Sequence, residues 1–219
     1  MSEEPRYVTI DALADHVGET VEIRGWLYNK RSSGKISFLL VRDGTGIVQG
    51  VLVEKEVDPA TWATYDSLTQ ESSLVVRGTV REDDRAPGGF ELSLEAVEPV
   101  QIPDEDYPIG PKEHGIDFLL NHRHLWLRST RPWHTLRIRD TLIFAIHEFF
   151  RERGFVRLDS PILTKAIGEE AGELFETEYF DFGAASLAQT GQLYVEAGAM
   201  AFGKVYCFGP TFRAEKSKT

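Results

Sequence analysis

The chain of 219 residues is long enough for one large domain or two ordinary ones, and with 42% hydrophobic and 27% charged residues it has a globular balance. No apolar run reaches the length of a membrane-spanning helix, the acidic start "MSEEPRYVTI" is unlike a signal peptide, and the single Cys207 excludes an internal disulfide and a cysteine-cluster zinc site. These features predict a cytoplasmic protein, while a net charge of -11 weighs against a nucleic-acid partner until its distribution is considered.

The first hundred residues alternate apolar and polar in short runs. "VEIRGWLYNKR", "ISFLLVRD" and "IVQGVLV" predict a three-stranded meander turned at "SGK" and "GTG". Asp58 and Pro59 open a helix over "VDPATWATYDSLTQES", and "SLVVRGTVRED" and "FELSLEAVEPV" add two strands joined by "RAPGG". Five strands with a helix after the third is the order of an OB-fold barrel, whose surface commonly holds oligonucleotides. The alternative is a small barrel without a ligand. Over Val21 to Gln49, Arg24, Lys30, Arg31, Lys35 and Arg42 outnumber Glu22 and Asp43. Over Lys112 to Arg139, Lys112, Arg123, Arg128, Arg131, Arg137 and Arg139 outnumber Glu113 and Asp117. Such local basic surfaces permit RNA binding on an acidic body, although charge alone equally describes solvated faces.

"QIPDEDYPIGPKEHG" carries three prolines without periodicity and reads as a linker. Beyond it "RDTLIFAIHEFFRERG" has Leu142, Ile143, Ile146, Phe149 and Phe150 on one helical face, with Gly154 as its stop. "FVRLDSPILT" and the run up to "SLAQT" supply strands, "GQLYVEAGAMAFG" a helix ending at Gly203, and "KVYCFGPTFRAE" strands again. The predicted fold class is α+β: an N-terminal five-stranded OB-fold β-barrel over 1–102, a linker or hinge over 103–133, and an antiparallel-sheet domain over 134–219. Cys207, within "VYCFG", reads as a small buried residue.

No phosphate-binding glycine loop or serine nucleophile elbow occurs. His122 and His124 would share a strand face without a third ligand, so no metal ligands are assigned. A polar constellation remains: Glu169, Glu170, Glu173, Gln189, Thr190, Gln192, Glu196, Arg213 and Glu215. Strand alternation puts Arg213 and Glu215 on one face, where a guanidinium can clamp a phosphate or carboxylate and a carboxylate can accept from an adenine amino group. The alternative is a salt bridge on a solvated face.

"FGPTFRAEKSKT" resembles the second signature motif of the class II aminoacyl-tRNA synthetases, and "HEFFRERGFVRLDSPILT" resembles their first, with Pro161 at the dimer-forming position. "GWLYNKR" through "GKISFLLVRDGTGIVQ" is similar to the anticodon-binding OB domain of the aspartyl, asparaginyl and lysyl subgroup, and "TGQLYVEA" followed by "VYCFGPTFRAE" is most similar to the asparaginyl members. The resemblance implies ATP-dependent activation of asparagine to an adenylate and transfer to tRNA(Asn), with Mg2+ on the phosphates, by a cytoplasmic homodimer. It implies that Arg213 bridges α-phosphate and substrate carboxylate as the main charge-stabilising group, that Glu215 meets the adenine, and that Glu169, Gln189, Thr190 and Gln192 surround the amino acid. Glu170 stands where glycine is usual and Thr190 where serine is usual. Val195 replaces the lysine with which aspartyl enzymes meet their substrate, and Glu196 is placed either to accept from the asparagine amide or as a solvated helix residue.

In the first domain the resemblance implies that an anticodon base stacks on Phe38 while Arg31 and Gln49 read the central uridine. From the residues alone Phe38 reads as a core strand residue. The family pattern continues past Thr219, so the chain is expected to be an N-terminal portion, inactive by itself and with raw sheet edges. A non-catalytic tRNA-anticodon-binding protein and an aspartate-tRNA(Asp/Asn) ligase are the competing readings.

Overall fold

The structure, a computed structural model, describes residues 5–165 and 173–215. The chain divides into two compact units, Met1–His114 and Gly115–Thr219.

In the first unit, β1 (Arg6–Tyr7), β2 (Thr20–Ser33), β3 (Ile36–Arg42), β4 (Ile47–Val53), β5 (Ser73–Glu82) and β6 (Phe90–Gln101) form one sheet in the order β1-β2-β3-β4-β6-β5. Because β5 also pairs with β2, β2 to β6 each have a neighbour on both edges within a ring and the sheet closes on itself, with β1 as an added partner of β2. That ring is the OB barrel, and its single parallel contact within the ring is β4 with β6.

The closure follows from strict alternation. Val21, Ile23 and Leu27 of β2, Leu39 and Val41 of β3, Val48 and Leu52 of β4, Leu74, Val76 and Val80 of β5, and Leu92, Leu94 and Val97 of β6 all point inward and are buried in one core. Ser37 shares that interior, and its hydroxyl has no hydrogen-bond partner among the described residues. Gly78 is required where β5 and β6 cross most closely, since a Cβ there would lie 2.3 Å from the Ser93 carbonyl oxygen. The register slips between Arg77 and Gly78 at that point.

The α1 helix (Pro59–Ser67) starts where the sequence predicts. The Asp58 carboxylate caps it by accepting from the Ala60 and Thr61 amides at 2.9 and 3.1 Å, and the Thr61 hydroxyl, donating to it at 2.6 Å, together with those amides holds that carboxyl below the usual aspartate range. At the other end the Lys30 ammonium donates to the Tyr65 carbonyl at 2.7 Å and lies 4.6 Å from the Tyr65 ring centre, tying α1 to β2. Burial pulls the Lys30 pKa down, against the opposing pull of Asp66.

The second unit opens with two short helices, α2 (Ile116–Asn121) and α3 (Arg123–Trp126). His122 and His124 therefore sit at a helix junction and within a helix, not on a strand, because the segment lacks the β-branched alternation that a strand needs. The long helix α4 (Thr130–Glu152) starts nine residues before the apolar periodicity that predicted it. It stops as foreseen at Gly154, whose φ of 75° only glycine adopts without cost. Gly154 N–H bonds to the Arg151 carbonyl and Phe155 N–H to that of Phe150, while the Phe150 and Phe155 rings meet edge to face. This is a Schellman stop with its hydrophobic contact.

β8 (Leu163–Thr164), β9 (Glu176–Glu178) and β10 (Ala184–Leu187) form an antiparallel sheet in the order β8-β10-β9. The expected antiparallel arrangement fails for the other pair: β7 (Val156–Arg157) and β11 (Val205–Tyr206) are parallel. A parallel pair needs a long crossover, and the chain between them supplies one that includes α5 (Gln192–Phe202). Cys207 is exposed rather than buried. It follows a two-residue strand, and the buried place there is taken by Tyr206, whose hydroxyl lies 2.8 Å from His147 Nδ1 and whose ring stacks on Phe150.

Candidate functional site

The first candidate lies on the outer face of the barrel. In β2 the residues up to Trp26 alternate with even numbers outward, so Lys30 would be expected outside and Arg31 inside. An extra residue between Leu27 and Asn29 breaks the register with β3 and reverses that parity. Lys30 then pairs with buried Leu39, and Arg31 emerges on the outer face opposite Phe38.

On that face Arg31, Phe38 and Gln49 come together. The Arg31 guanidinium carbon lies 4.1 Å from the Phe38 ring centre, and its terminal nitrogen donates to Gln49 Oε1 at 3.4 Å. Gln49 Nε2 in turn donates to Glu91 Oε2 at 3.2 Å, from the strand that pairs in parallel with β4. Phe38 is half-buried on the exterior rather than in the core. Sequence reasoning missed Glu91: "FELSL" offers only alternation, and the contact exists only because β4 and β6 close the barrel. The platform thus presents an aromatic ring, a cation, an amide of defined orientation and a carboxylate, which is the donor and acceptor set that single-stranded bases require.

The second candidate lies in the second unit. Gln189 follows β10, is 94% buried by its 6% exposure, and its Oε1 has no hydrogen-bond partner among the described residues. Such an orphan acceptor costs stability unless a ligand uses it. Thr190 Oγ1 accepts from the Gln192 amide at 3.1 Å and so satisfies one free donor in the first turn of α5. The Gln192 side-chain amide donates to Glu196 at 2.8 Å, one helical turn on, which orients both. Val195, on the same helix, is half-buried.

The strand predicted over "KVYCFGPTFRAE" ends at Tyr206, so Arg213 and Glu215 lie beyond the last strand, in a segment that two backbone bonds hold to the rest of the unit. Phe212 N–H bonds to the Ala188 carbonyl at 2.9 Å and Ala214 N–H to the Glu173 carbonyl at 3.1 Å. Phe212 and Ala214 are half-covered while Arg213 and Glu215 are exposed, so the two charged side chains do share a face. The segments carrying Glu173, Gln189 and Arg213 are adjacent in consequence. Glu169 and Glu170 lie outside the described residues. Among the described residues no group of three or more His, Cys, Asp or Glu is placed to hold a metal ion, and no helix is long and apolar enough to cross a membrane.

Two family models match this chain. Residues 115–219 match the class II tRNA synthetases (D, K and N) and residues 21–100 an OB-fold nucleic acid binding domain. The asparagine–tRNA ligase of Thermus thermophilus is 61% identical over 212 residues, 97% of this chain and 48% of that protein. That of Chloroflexus aurantiacus is 57% identical over 211 residues, 96% of this chain and 48% of that protein. The chain spans about half the length of the curated relatives it matches. Asparaginyl-tRNA synthetase from Pyrococcus horikoshii complexed with asparaginyl-adenylate superposes with a TM-score of 0.87 at 37% identity, over all of this chain and 50% of that one. The Entamoeba histolytica asparaginyl-tRNA synthetase complexed with asparaginyl-adenylate superposes with a TM-score of 0.82 at 25% identity, over 99% of this chain and 50% of that one.

Proposed function

Because this chain belongs to the class II tRNA synthetases of the D, K and N group, we propose that it supplies the tRNA-reading barrel and the first walls of the adenylate pocket of an asparagine–tRNA ligase. In this reading residues 1–102 bind the anticodon of tRNA(Asn), 103–133 act as hinge, and 134–219 begin the catalytic domain. The observation that carries it is the Phe212–Ala188 backbone bond, which sets the segment bearing Arg213 against the one bearing Gln189.

A carboxylate oxygen of asparagine attacks the α-phosphorus of ATP, the bond to the bridging oxygen breaks and pyrophosphate leaves, and Arg213 stabilises the charge that builds on the α-phosphate. Glu215 accepts from the adenine amino group. Gln192 faces the substrate α-amino group, and the buried Gln189 gains the partner that its Oε1 lacks. Thr190 orders the turn leading into α5. Val195 offers nothing to pair with a carboxylate, which favours asparagine over aspartate. Glu196, oriented by Gln192, is the acceptor for the side-chain amide. Mg2+ would arrive with ATP, held chiefly by phosphate oxygens and water, and neutralises phosphate charge. Glu173 and Glu215 are the described carboxylates on the segments that the Ala214–Glu173 backbone bond joins, and would face the ion across its water. Glu169 belongs to this proposal on sequence alone.

The site is cytoplasmic in this reading and the enzyme a homodimer. Ile138, Leu142, Ile146 and Phe149 form an exposed apolar row along α4, which supports such an interface.

The test replaces the matching N-terminal half of the Thermus thermophilus relative with these 219 residues and measures amino-acid-dependent ATP–pyrophosphate exchange. The expected result is exchange with asparagine and not with aspartate, reduced at least about a hundredfold by Arg213→Ala. Exchange driven by aspartate, or unaffected by that substitution, would overturn it. A chimera that binds tRNA(Asn) but activates neither amino acid would favour a binding-only role for the barrel.

A further inference from the structure

The platform described above is already occupied. The Arg31 guanidinium sits at stacking distance over Phe38 and gives its terminal hydrogen to Gln49. Gln49 cannot turn away, because its other amide atom is donated to Glu91. Each group that would recognise a base is thus already engaged: the Phe38 ring by the Arg31 cation, the Gln49 amide oxygen by that guanidinium and the Gln49 amide nitrogen by the Glu91 carboxylate.

We propose that Arg31 is a lid on the Phe38 platform, displaced only by a base whose polar edge takes over the Arg31 and Gln49 hydrogen bonds. This rests on the anticodon reading of the site and adds to it a mechanism of selection. A base arriving on the covered face must break a cation–π contact and a hydrogen bond before it can stack. A base with an adjacent donor and acceptor returns both: its donor meets Gln49 Oε1, whose orientation Glu91 fixes, and its acceptor receives the released guanidinium. A base of the same shape without polar atoms returns neither and leaves Gln49 Oε1 and the guanidinium without their bonds. Stacking alone is tolerant of base identity, so the lid makes a permissive surface conditional on hydrogen bonding. The barrel closure is essential to it, since Glu91 reaches Gln49 only through the β4–β6 pairing.

The test uses the full 219-residue chain and two anticodon stem-loop RNAs identical except at the loop centre. One carries uridine there and the other its apolar isostere difluorotoluene. In the unmodified chain the uridine loop binds the tighter. Arg31→Ala is expected to weaken the uridine loop about tenfold, as loss of a charged hydrogen bond does, and to tighten the difluorotoluene loop severalfold because the ring is uncovered. If the substitution leaves the difluorotoluene loop unchanged or weakened, Arg31 is an ordinary contact and the lid is refuted.

A second measurement needs no RNA binding by a variant. In the free chain the Arg31 δ-methylene protons should resonate upfield, shielded by the Phe38 ring, and return to ordinary positions when the uridine loop is added or in Phe38→Leu. Ordinary positions in the free chain would refute the lid. If the unmodified chain binds neither loop, the anticodon reading itself falls and the lid with it.

Discussion

The two units of this chain treat their apolar residues in opposite ways. In the first, sixteen hydrophobic side chains from every strand of the ring and its flanks converge in one buried cluster, and large exposed apolar groups are few and scattered: Tyr7, Val17, Trp26, Ile36 and Val100. In the second, the buried hydrophobics among the described residues are Ala185, Ala188 and Tyr206, while α4 alone exposes Leu136, Ile138, Leu142, Phe144, Ile146 and Phe149. A sheet that closes on itself finishes its own core, whereas a long helix with apolar groups on several faces calls for further surface against it. The first unit therefore completes its own core, whereas the second leaves the apolar groups of α4 in solvent.

The comparison can be broken most severely at the barrel's crossing point. Gly78→Ala forces a Cβ to within 2.3 Å of a backbone oxygen that cannot swing aside. With Leu39→Ala, which empties fully buried volume, it should cost the first unit about 2–5 kcal/mol in denaturant titration. Equal unfolding of the second unit in the same experiment would show that the units are not independent. A smaller loss, about 1 kcal/mol, is expected when Asp58→Ala removes the α1 cap.

Ser37→Ala runs the other way. Removing a buried hydroxyl without a partner should raise stability by up to about 1 kcal/mol, visible as a higher midpoint at unchanged slope. On the second unit Leu142→Glu, at an exposed position, should shift the chain's own folding by less than about 0.5 kcal/mol. Under the homodimer proposed above it should also shift sedimentation toward the monomer; a large folding loss would mean that α4 is already covered.

The mildest expectation concerns acid. Burial pushes the Glu22 carboxyl up, but hydrogen bonds from Arg24 at 2.7 Å and Arg77 at 2.9 Å outweigh it and hold it below the ordinary glutamate range. With a folded pKa below the unfolded one, its stabilisation is present above the ordinary glutamate value and is lost as pH falls through the lowered one. Glu22→Gln should flatten that acid limb of the stability curve in the first unit. An unchanged limb would show that other carboxylates control it.

Legibility in the sequence followed the same division. The barrel strands, the Asp58 cap and the Gly154 stop could be read because each rests on neighbours in sequence: alternation, an Asp-Pro start, a glycine after an apolar face. The bulge after Leu27 could not, since "GWLYNKR" alternates plausibly in either register and only pairing with β3 decides which of Lys30 and Arg31 faces out. The same holds for Glu91, which acquires its partner across the barrel. Phe38 read as core until the resemblance placed it at a base, because period-two patterning does not say which face is inside. Cys207 was misjudged by composition, a small residue among apolar ones whose buried place belongs to Tyr206. The parallel β7–β11 pair was hidden because each strand is two residues long. The residues proposed for the adenylate site are legible as a polar cluster, yet their convergence depends on the Phe212 and Ala214 backbone bonds, which no spacing announces.

The parallel β4–β6 contact has a kinetic consequence. It joins residues some forty positions apart, Gln49 with Glu91 and Val51 with Ser93, so it carries a large loop-closure entropy and is expected to form late in folding. Every hairpin of the meander can assemble before it, but the Glu91 restraint on Gln49 cannot. A chain whose sixth strand is still unmade lacks both that restraint and the share of the barrel core that Leu92, Leu94 and Val97 supply.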